Sequence, residues 1–213
     1  MHNPLKIKVC GMRDPGNILD LVECMPDFMG FIFYPGSKRF VRDPDPELFR
    51  SIPPGIRKVG VYVNESTDTI KRMVAELCLD LVQLHGDEPP DACDDLSGCG
   101  IPVMKAFRIS ASIDHGLLKD YDGSCDYFLL DKGGSGFGGT GKKFDWNLLA
   151  NSRLSKPYFL SGGIDPGDVP SILSFDRPAM TGVDINSRFE TEPGVKDVGK
   201  VCEFIKSIRR INK

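Results

Sequence analysis

Two side chains in this sequence are suited to moving protons, and each stands at the end of an apolar run. Cys10 closes the run LKIKVC, two residues after Lys8, and Asp131 closes the run DYFLLD. A thiolate serves as a base or nucleophile, and a neighbouring lysine favours that form of a buried cysteine. A carboxyl group at a strand end serves as an acid. The alternative for the first pair is a small core cysteine beside a salt-bridged lysine.

A glycine-rich segment follows Asp131 directly. Residues 132–143 read KGGSGFGGTGKK, a composition that interrupts any helix or strand. Such a loop brings backbone N–H groups close to a ligand and can move as a lid over it. Alone, this composition would indicate only a flexible connection, but the adjacent carboxyl group favours a site. Gly138 and Gly139 are therefore candidate ligand contacts.

Two segments nearer the C-terminus carry residues suited to holding a phosphate group. The run SGGI at 161–164 precedes Asp165-Pro166, which opens a helix, and the run DINS occupies 184–187. Glycine amides and the positive end of a helix dipole both favour an anion. The candidate contacts in these two segments are Gly162, Gly163, Asp184, Asn186 and Ser187.

Two further groups are candidates for contact with a substrate. Arg39 lies in the basic loop YPGSKRFV and suits an anionic or aromatic substrate part; a solvated surface loop is the alternative. Gln83 and His85 lie on one face of the run DLVQLHG. A structural histidine is the alternative to a pocket-lining role for His85.

The elements that must position these residues are short apolar runs separated by amphipathic segments. Between several runs the hydrophobic period changes from two to 3.6, which predicts helices containing Ile18, Leu21, Val22 and Met25, then Ile70, Met73, Val74 and Leu77, and finally Val198, Val201, Cys202 and Ile205. Asp14-Pro15, Ser66 or Thr67, and Asp165-Pro166 supply start signals for three helices, and the weakest helical patterns follow runs two, four and six. The eight predicted strands are LKIKVC, FMGFIFY, RKVGVYV, DLVQLHG, PVMKAFRI, DYFLLD, PYFLSGG and TGVDINS.

This alternation predicts an α/β fold, a (βα)8 TIM barrel in which residues 1–213 form a single domain. Parallel strands require crossover helices, and a closed barrel accommodates all of them. A doubly wound open sheet is the alternative, because strand order cannot be derived from periodicity. In a barrel the working residues stand at the carboxyl ends of the strands. We expect Lys8 and Cys10 to face the interior, with Ile7 and Val9 on the other face.

Composition favours small-molecule chemistry. The chain has 213 residues, a net charge of -3 and a pI near 5.7, so it lacks the basic stripe of a nucleic-acid-binding protein. We expect no nucleic-acid partner, no membrane segment and a cytoplasmic location. Seven cysteines, with no CxxC pair, predict neither disulfides nor zinc. Cys93 and Cys99 as a metal pair are the alternative to core or surface thiols.

Taken together, the segments KVCG, SKRFV, VQLHGDE, LLD, GGTGKKFDW, SGGI and GVDINS resemble phosphoribosylanthranilate isomerase, in the same order and across almost the whole chain. The resemblance implies the Amadori rearrangement of N-(5'-phosphoribosyl)anthranilate into 1-(2-carboxyphenylamino)-1-deoxyribulose 5-phosphate, in tryptophan biosynthesis. It implies that Asp131 is the general acid, Cys10 the general base, and Arg39 the contact for the anthranilate carboxylate. Gly162, Gly163 and Ser187 would hold the phosphate. Arg188 stands where the family typically has glycine.

We expect no cofactor and no metal, a phosphorylated small molecule as the substrate, and either a monomer or a homodimer. No GxxxxGK[ST] motif for nucleotide phosphates occurs. Three alternatives stay open. One is a histidine-pathway isomerase that uses two aspartates, against which Cys10 argues. The others are a catalytically silent barrel that binds a metabolite, and a thiol-nucleophile enzyme that uses Cys10 with His85.

Overall fold

Eight parallel strands form a closed barrel in the computed structural model, which describes residues 4–110, 112–132, 146–149, 154–175 and 179–210. Each strand pairs with the next, and the last pairs with the first, where Lys8 lies opposite Asp184. This closing pair confirms the barrel and excludes the open doubly wound sheet. The strands are β1 Lys6–Cys10, β2 Phe28–Ile32, β3 Arg57–Tyr62, β4 Leu81–Leu84, β5 Val103–Ile109, β6 Tyr127–Lys132, β7 Tyr158–Leu160 and β8 Met180–Ile185.

Alternation along the strands separates two apolar layers. Ile7 and Val9 belong to the larger layer, between the sheet and the helices. Cys10 belongs to the smaller layer inside the barrel, and Lys8 is fully buried there. The expected facing of β1 is therefore confirmed. The other buried side chains of the inner layer are Phe28, Val59, Val61, Leu81, Met104, Ala106, Leu129 and Phe159.

The helices surround the barrel, and two of the three predicted caps begin an α-helix. The Asp14 side chain accepts a hydrogen bond from the Asn17 amide, and the Ser66 hydroxyl accepts one from the Thr69 amide. Asp165 caps a 3-10 turn that leads into the sixth helix. The helices are α1 Pro15–Val22, α2 Pro46–Ser51, α3 Thr67–Leu77, α4 Pro90–Ser97, α5 His115–Asp120, α6 Val169–Ser174 and α7 Val198–Arg210.

The structure differs from the predicted elements at three places. Met25 lies beyond the end of α1 and has a positive φ of 51°. The following Pro26 disfavours right-handed helical backbone at Met25, so the helix does not extend to it. After β6, the described residues form a 3-10 helix at Trp146–Leu149. An unpredicted hairpin, β9 Glu190–Glu192 with β10 Val195–Lys196, stands between β8 and α7. This hairpin lies beside the carboxyl ends of the strands.

The expectation of no disulfide is wrong. Cys24, just after α1, is bonded to Cys202 in α7, although 178 positions separate them in the sequence. Barrel closure is the physical reason, since it makes the first and last helices neighbours. Spacing patterns such as CxxC report only local pairs and do not detect a pair of this kind. Among the described residues, the remaining cysteines are free thiols.

Breaking this disulfide is expected to lower the free energy of unfolding by roughly 2–5 kcal/mol, because the bond restricts a very long loop in the unfolded chain. Urea unfolding followed by circular dichroism, with and without a thiol reductant, measures the difference. Cys24→Ser should match the reduced protein and show no response to reductant. Cys99→Ser, which removes an exposed free thiol, should leave the unfolding midpoint unchanged. Equal midpoints for oxidised and reduced wild type would contradict this expectation.

Candidate active site

The carboxyl ends of the strands surround an open pocket. Ten of the predicted site residues line it, and Gly138 and Gly139 fall outside the described residues. The predicted residues in the pocket are Cys10, Arg39, Gln83, His85, Asp131, Gly162, Gly163, Asp184, Asn186 and Ser187. Closure of the barrel therefore brings both proton-moving candidates into one cavity.

A buried ion pair lies beneath the thiol of Cys10. The ammonium of Lys8 donates to Asp184 Oδ1 at 2.8 Å, and the hydroxyl of Ser161 donates to Asp184 Oδ2 at 3.2 Å. Burial acts to lower the pKa of Lys8, but Asp184 and Cys10 outweigh it and the pKa is raised. Lys8 is therefore charged, and its charge is already shared with Asp184.

Burial raises the pKa of Cys10. A raised pKa favours the thiol, whereas the sequence predicted a thiolate beside Lys8. Lys8 and Lys196 oppose the rise, whereas Asp184 adds to it. Because Asp184 neutralises much of the lysine charge, desolvation has the larger effect. In the unliganded protein Cys10 is therefore a thiol at neutral pH.

Gly30 on β2 leaves space for the side chains of Cys10 and Lys8. This requirement was not predicted from the sequence. A Cβ atom at this position would lie 2.9 Å from Cys10 Sγ and 3.3 Å from Lys8 Nζ. A glycine within a strand is the sequence signal of such close approach. Neither the thiol nor the ammonium could keep its position beside a larger residue.

Asp131 ends a chain of side-chain contacts that crosses the pocket wall. Its Oδ2 lies 3.4 Å from His85 Nε2, and its Oδ1 accepts from the Lys132 amide at 2.8 Å. Gln83 Nε2 lies 2.7 Å from His85 Nδ1. If the amide donates to Nδ1, the proton of neutral His85 sits on Nε2 and faces Asp131. This orients the carboxyl group and links it to a second proton-carrying group.

Backbone geometry at the end of β7 fits the predicted phosphate contacts. Gly162 and Gly163 have positive φ angles of 87° and 73°. A Cβ at Gly162 would lie 2.8 Å from the Lys132 amide nitrogen and 3.1 Å from Asp131 Oδ1. Glycine is therefore required where this turn meets the end of β6. Ser187, which begins a 3-10 turn after β8, lines the same pocket as the two glycines.

Arg39 lies in the pocket with a partner, Glu190, that sequence reasoning did not assign to it. Its Nε and Nη2 donate to the two carboxylate oxygens of Glu190 at 2.7 and 2.6 Å. Lys196 Nζ donates to Glu190 Oε1 and to Asn186 Oδ1, each at 2.7 Å. The Glu190 hydrogen bond raises the pKa of Arg39. Burial acts to raise the pKa of Glu190, but Arg39 and Lys196 outweigh it and lower the pKa.

Comparison with known proteins places this architecture in a family. The chain matches the family profile for N-(5'phosphoribosyl)anthranilate (PRA) isomerase over residues 7–207. The chain belongs to the phosphoribosylanthranilate isomerase family. Among its relatives, the isomerase of Phocaeicola vulgatus is 43% identical over 96% of this chain and 98% of that protein. The isomerase of Myxococcus xanthus is 39% identical over 98% of each chain.

Solved structures of the family have the same barrel. The phosphoribosylanthranilate isomerase of Thermotoga maritima aligns with a TM-score of 0.80 and 35% identity, covering 97% of this chain and 99% of the other. A family structure in complex with reduced 1-(o-carboxyphenylamino)-1-deoxyribulose 5-phosphate aligns with a TM-score of 0.77 and 32% identity, over the same shares. The fold predicted from the sequence and the family resemblance are both confirmed.

Several features of this isomerase-family chain bear on the alternatives. Cys93 is buried in α4, whereas Cys99 is exposed beyond its end. The described parts of the chain contain no group of three His, Cys, Asp or Glu placed to hold a metal ion. None of the helices that the structure describes is long and apolar enough to cross a bilayer. Arg188 is exposed within the turn that begins at Ser187.

Other pocket residues were not among the predicted site residues. Tyr34 and Ser37 lie in the same loop as Arg39, and Ser161 stands just before the glycine pair. The apolar wall comes from Ile32, Val61, Val63 and Ile164. Most of these residues lie at or near the ends of predicted strands. Because strand ends converge in a barrel, that position was the sequence signal that could have identified them.

Proposed function

We propose that this protein catalyses the Amadori rearrangement of N-(5'-phosphoribosyl)anthranilate to 1-(2-carboxyphenylamino)-1-deoxyribulose 5-phosphate in tryptophan biosynthesis. One observation carries the proposal. A thiol on β1 and a carboxyl group on β6 line the same pocket, with an arginine clamp after β2 and a glycine turn after β7. The arrangement provides a base, an acid and two anion contacts for a substrate that has a carboxylate and a phosphate.

Asp131 is the general acid in the first step. Its protonated carboxyl group donates a proton to the furanose ring oxygen, the bond from that oxygen to C1 breaks, and the nitrogen lone pair forms a C1=N Schiff base. The sugar is then open and Asp131 is a carboxylate. His85, 3.4 Å away, lies on the side from which a proton can return to Asp131.

Cys10 is the general base in the second step. Its thiolate removes the proton from C2, the electron pair of that C–H bond forms a C1=C2 double bond, and the C=N electrons return to nitrogen. The resulting enolamine tautomerises to the ketone. A protonated Schiff base near Cys10 favours the thiolate, because a nearby positive charge stabilises the charged form of a thiol. This step explains how a cysteine that is a thiol at rest can act as a base.

The two ends of the substrate are held by different elements. Arg39 meets the anthranilate carboxylate, and Gly162, Gly163 and Ser187 meet the phosphate. Gln83, Asp184 and Asn186 line the cavity between these groups. Gly138 and Gly139 belong to a loop that we propose to contact the same substrate. Holding both anionic ends aligns the sugar with acid and base, and such alignment contributes much of the acceleration of an enzyme.

The cellular setting follows from the proposed pathway. We place the protein in the cytoplasm, as one barrel domain spanning residues 1–213 that acts without cofactor or metal as a monomer or homodimer. A related isomerase from Thermotoga maritima is described as dimeric. The disulfide between Cys24 and Cys202 is unusual for a reducing compartment, where thioredoxin and glutathione keep thiols reduced. The protein is therefore expected to work with this bond reduced as well as formed.

Turnover of N-(5'-phosphoribosyl)anthranilate by the purified protein tests the proposed function. The decay of anthranilate-type fluorescence is followed in a chelator-containing buffer. The product is an isomer of the substrate, so an unchanged mass excludes hydrolysis and the open-chain ketone identifies the product. Turnover supports the rearrangement. Its absence would contradict the function and leave a barrel that binds a phosphorylated metabolite. Turnover of the histidine-pathway aminoimidazole substrate instead would favour the isomerase that uses two aspartates.

A further inference from the structure

The guanidinium of Arg39 is held on one edge only. The Nε and Nη2 groups form two parallel hydrogen bonds to Glu190 at 2.7 and 2.6 Å, which occupies the side-on edge of the planar group. A guanidinium has a second edge, formed by its two Nη groups, that is equally suited to a carboxylate. Arg39 lines the pocket and keeps 17% of its side chain exposed. The second edge is thus the one that a bound carboxylate can use.

Glu190 is itself fixed by the hairpin of β9 and β10. Its side chain is only 5% exposed and accepts from Lys196 Nζ at 2.7 Å and from the Gly194 amide at 3.2 Å. Lys196 is anchored through its backbone, which exchanges two hydrogen bonds of 2.7 and 2.8 Å with the side chain of Asn17 in α1. Glu190 therefore belongs to a rigid support on the barrel and does not hang from a free loop.

Glu190 shares its negative charge between two basic side chains. It accepts hydrogen bonds from Arg39 and from Lys196, and although burial lowers the pKa of Lys196, Glu190 opposes that effect. The Glu190 hydrogen bond raises the pKa of Arg39, so the guanidinium stays charged and its free edge can attract a carboxylate. Lys196 is buried against Glu190 and Asn186.

The aliphatic part of the Arg39 side chain lies close to the backbone next to Cys10. A Cβ at Gly11, the residue that follows Cys10, would lie 2.6 Å from Arg39 Cδ and 2.7 Å from Asn186 Oδ1. Gly11 has a φ of +77°. The Arg39 side chain therefore crosses directly over the end of β1. Any change in its orientation would shift a bound carboxylate relative to Cys10.

We propose that Glu190 is a positioning residue, which presents the free edge of Arg39 to the aromatic carboxylate of the substrate and so sets specificity for an anthranilate rather than an uncharged arylamine. This inference rests on the proposed function. It differs from a purely structural role, in which Glu190 would only tie the hairpin to the barrel. It also differs from a purely electrostatic role, in which Glu190 would only weaken the charge of Arg39.

Two substrates separate these roles, namely N-(5'-phosphoribosyl)anthranilate and N-(5'-phosphoribosyl)aniline, which lacks the carboxylate. With Glu190→Gln, the KM for the anthranilate compound is expected to rise about two- to tenfold, because a mobile arginine must be ordered on binding. Its kcat should change less, and both constants for the aniline compound should stay near their wild-type values. Glu192→Gln, an exposed carboxylate on the same strand, is the matched control and should behave as wild type.

The outcomes decide between the roles. A fall in KM for the anthranilate compound would overturn the proposal, since removal of a negative charge alone strengthens anion binding. Equal losses with both substrates would also overturn it and leave a structural role. If Glu190→Gln does not fold, Glu190→Asp keeps the charge but shortens the side chain, and the same selective rise in KM is expected. Arg39→Ala should abolish the preference for the carboxylate. If it does not, while wild type still turns over, the positioning proposal fails and the isomerase function stands.

Discussion

Replacing Cys10 with alanine is expected to lower kcat for the rearrangement about a hundred- to ten-thousandfold, the range that a general base contributes. The thiol is the proposed acceptor of the C2 proton. The nearby Lys8 cannot take its place, because Lys8 is charged and bonded to Asp184. Fluorescence decay at saturating substrate measures kcat. Cys99→Ala, which removes an exposed thiol away from the pocket, is the control and should be fully active.

The pH profile gives this prediction a second readout. Burial raises the pKa of Cys10 above its ordinary value of 9.0. The base acts in its deprotonated form, so the active fraction of free enzyme grows as pH rises toward that raised pKa. The thiol of Cys10 is therefore expected to contribute a limb of the wild-type kcat/KM profile that rises with pH, and Cys10→Ala should lose that limb. A Cys10→Ala protein with wild-type kcat, or with the same rising limb, would show that another group is the base.

Asp131→Asn is expected to produce a loss of similar size, about a hundred- to ten-thousandfold in kcat. Asparagine has nearly the same shape, and its carbonyl oxygen can still accept from the Lys132 amide, a bond of 2.8 Å in the native protein. What it lacks is the acidic proton that we propose to open the furanose ring. The loss should therefore appear in the chemical step and not in the fold of the β6 end.

Binding of an unreactive product analogue separates chemistry from recognition. Reduced 1-(o-carboxyphenylamino)-1-deoxyribulose 5-phosphate, which is bound in a solved family structure, should bind Asp131→Asn with a Kd close to that of wild type. Asp87→Asn removes an exposed carboxylate in the loop after β4 and should keep both kcat and Kd. An Asp131→Asn protein that loses analogue binding as much as it loses turnover would assign Asp131 to binding instead of acid catalysis.

Local sequence patterns predicted the parts of the site that depend on position along one strand. Cys10 and Asp131 were identified because each ends an apolar run, and the barrel confirms that these ends meet in one pocket. The alternation of Lys8 and Cys10 with Ile7 and Val9 gave the correct faces of β1. These inferences succeed because side-chain direction in a strand has a period of two and is independent of distant residues.

Other properties depended on distant residues. The expectation of a thiolate at Cys10 was wrong for two reasons. Burial raises the pKa of the thiol, and Asp184, 176 positions from Lys8, pairs with the lysine charge that would lower it. Desolvation and pairing are properties of the packed barrel, so no spacing near Cys10 reports them. The hairpin after β8 went unpredicted because its strands are only three and two residues long.

By itself, the sequence determined the order of strands and helices, the residues that stand at strand ends, and the family to which they belong. Only the tertiary structure decided which of those residues are partners: Arg39 with Glu190, 151 positions apart, and Cys24 with Cys202, 178 positions apart. The physical reason is closure of the barrel. Hydrophobic periodicity records which face of an element is buried, but pairing β8 with β1 selects the distant groups that meet there.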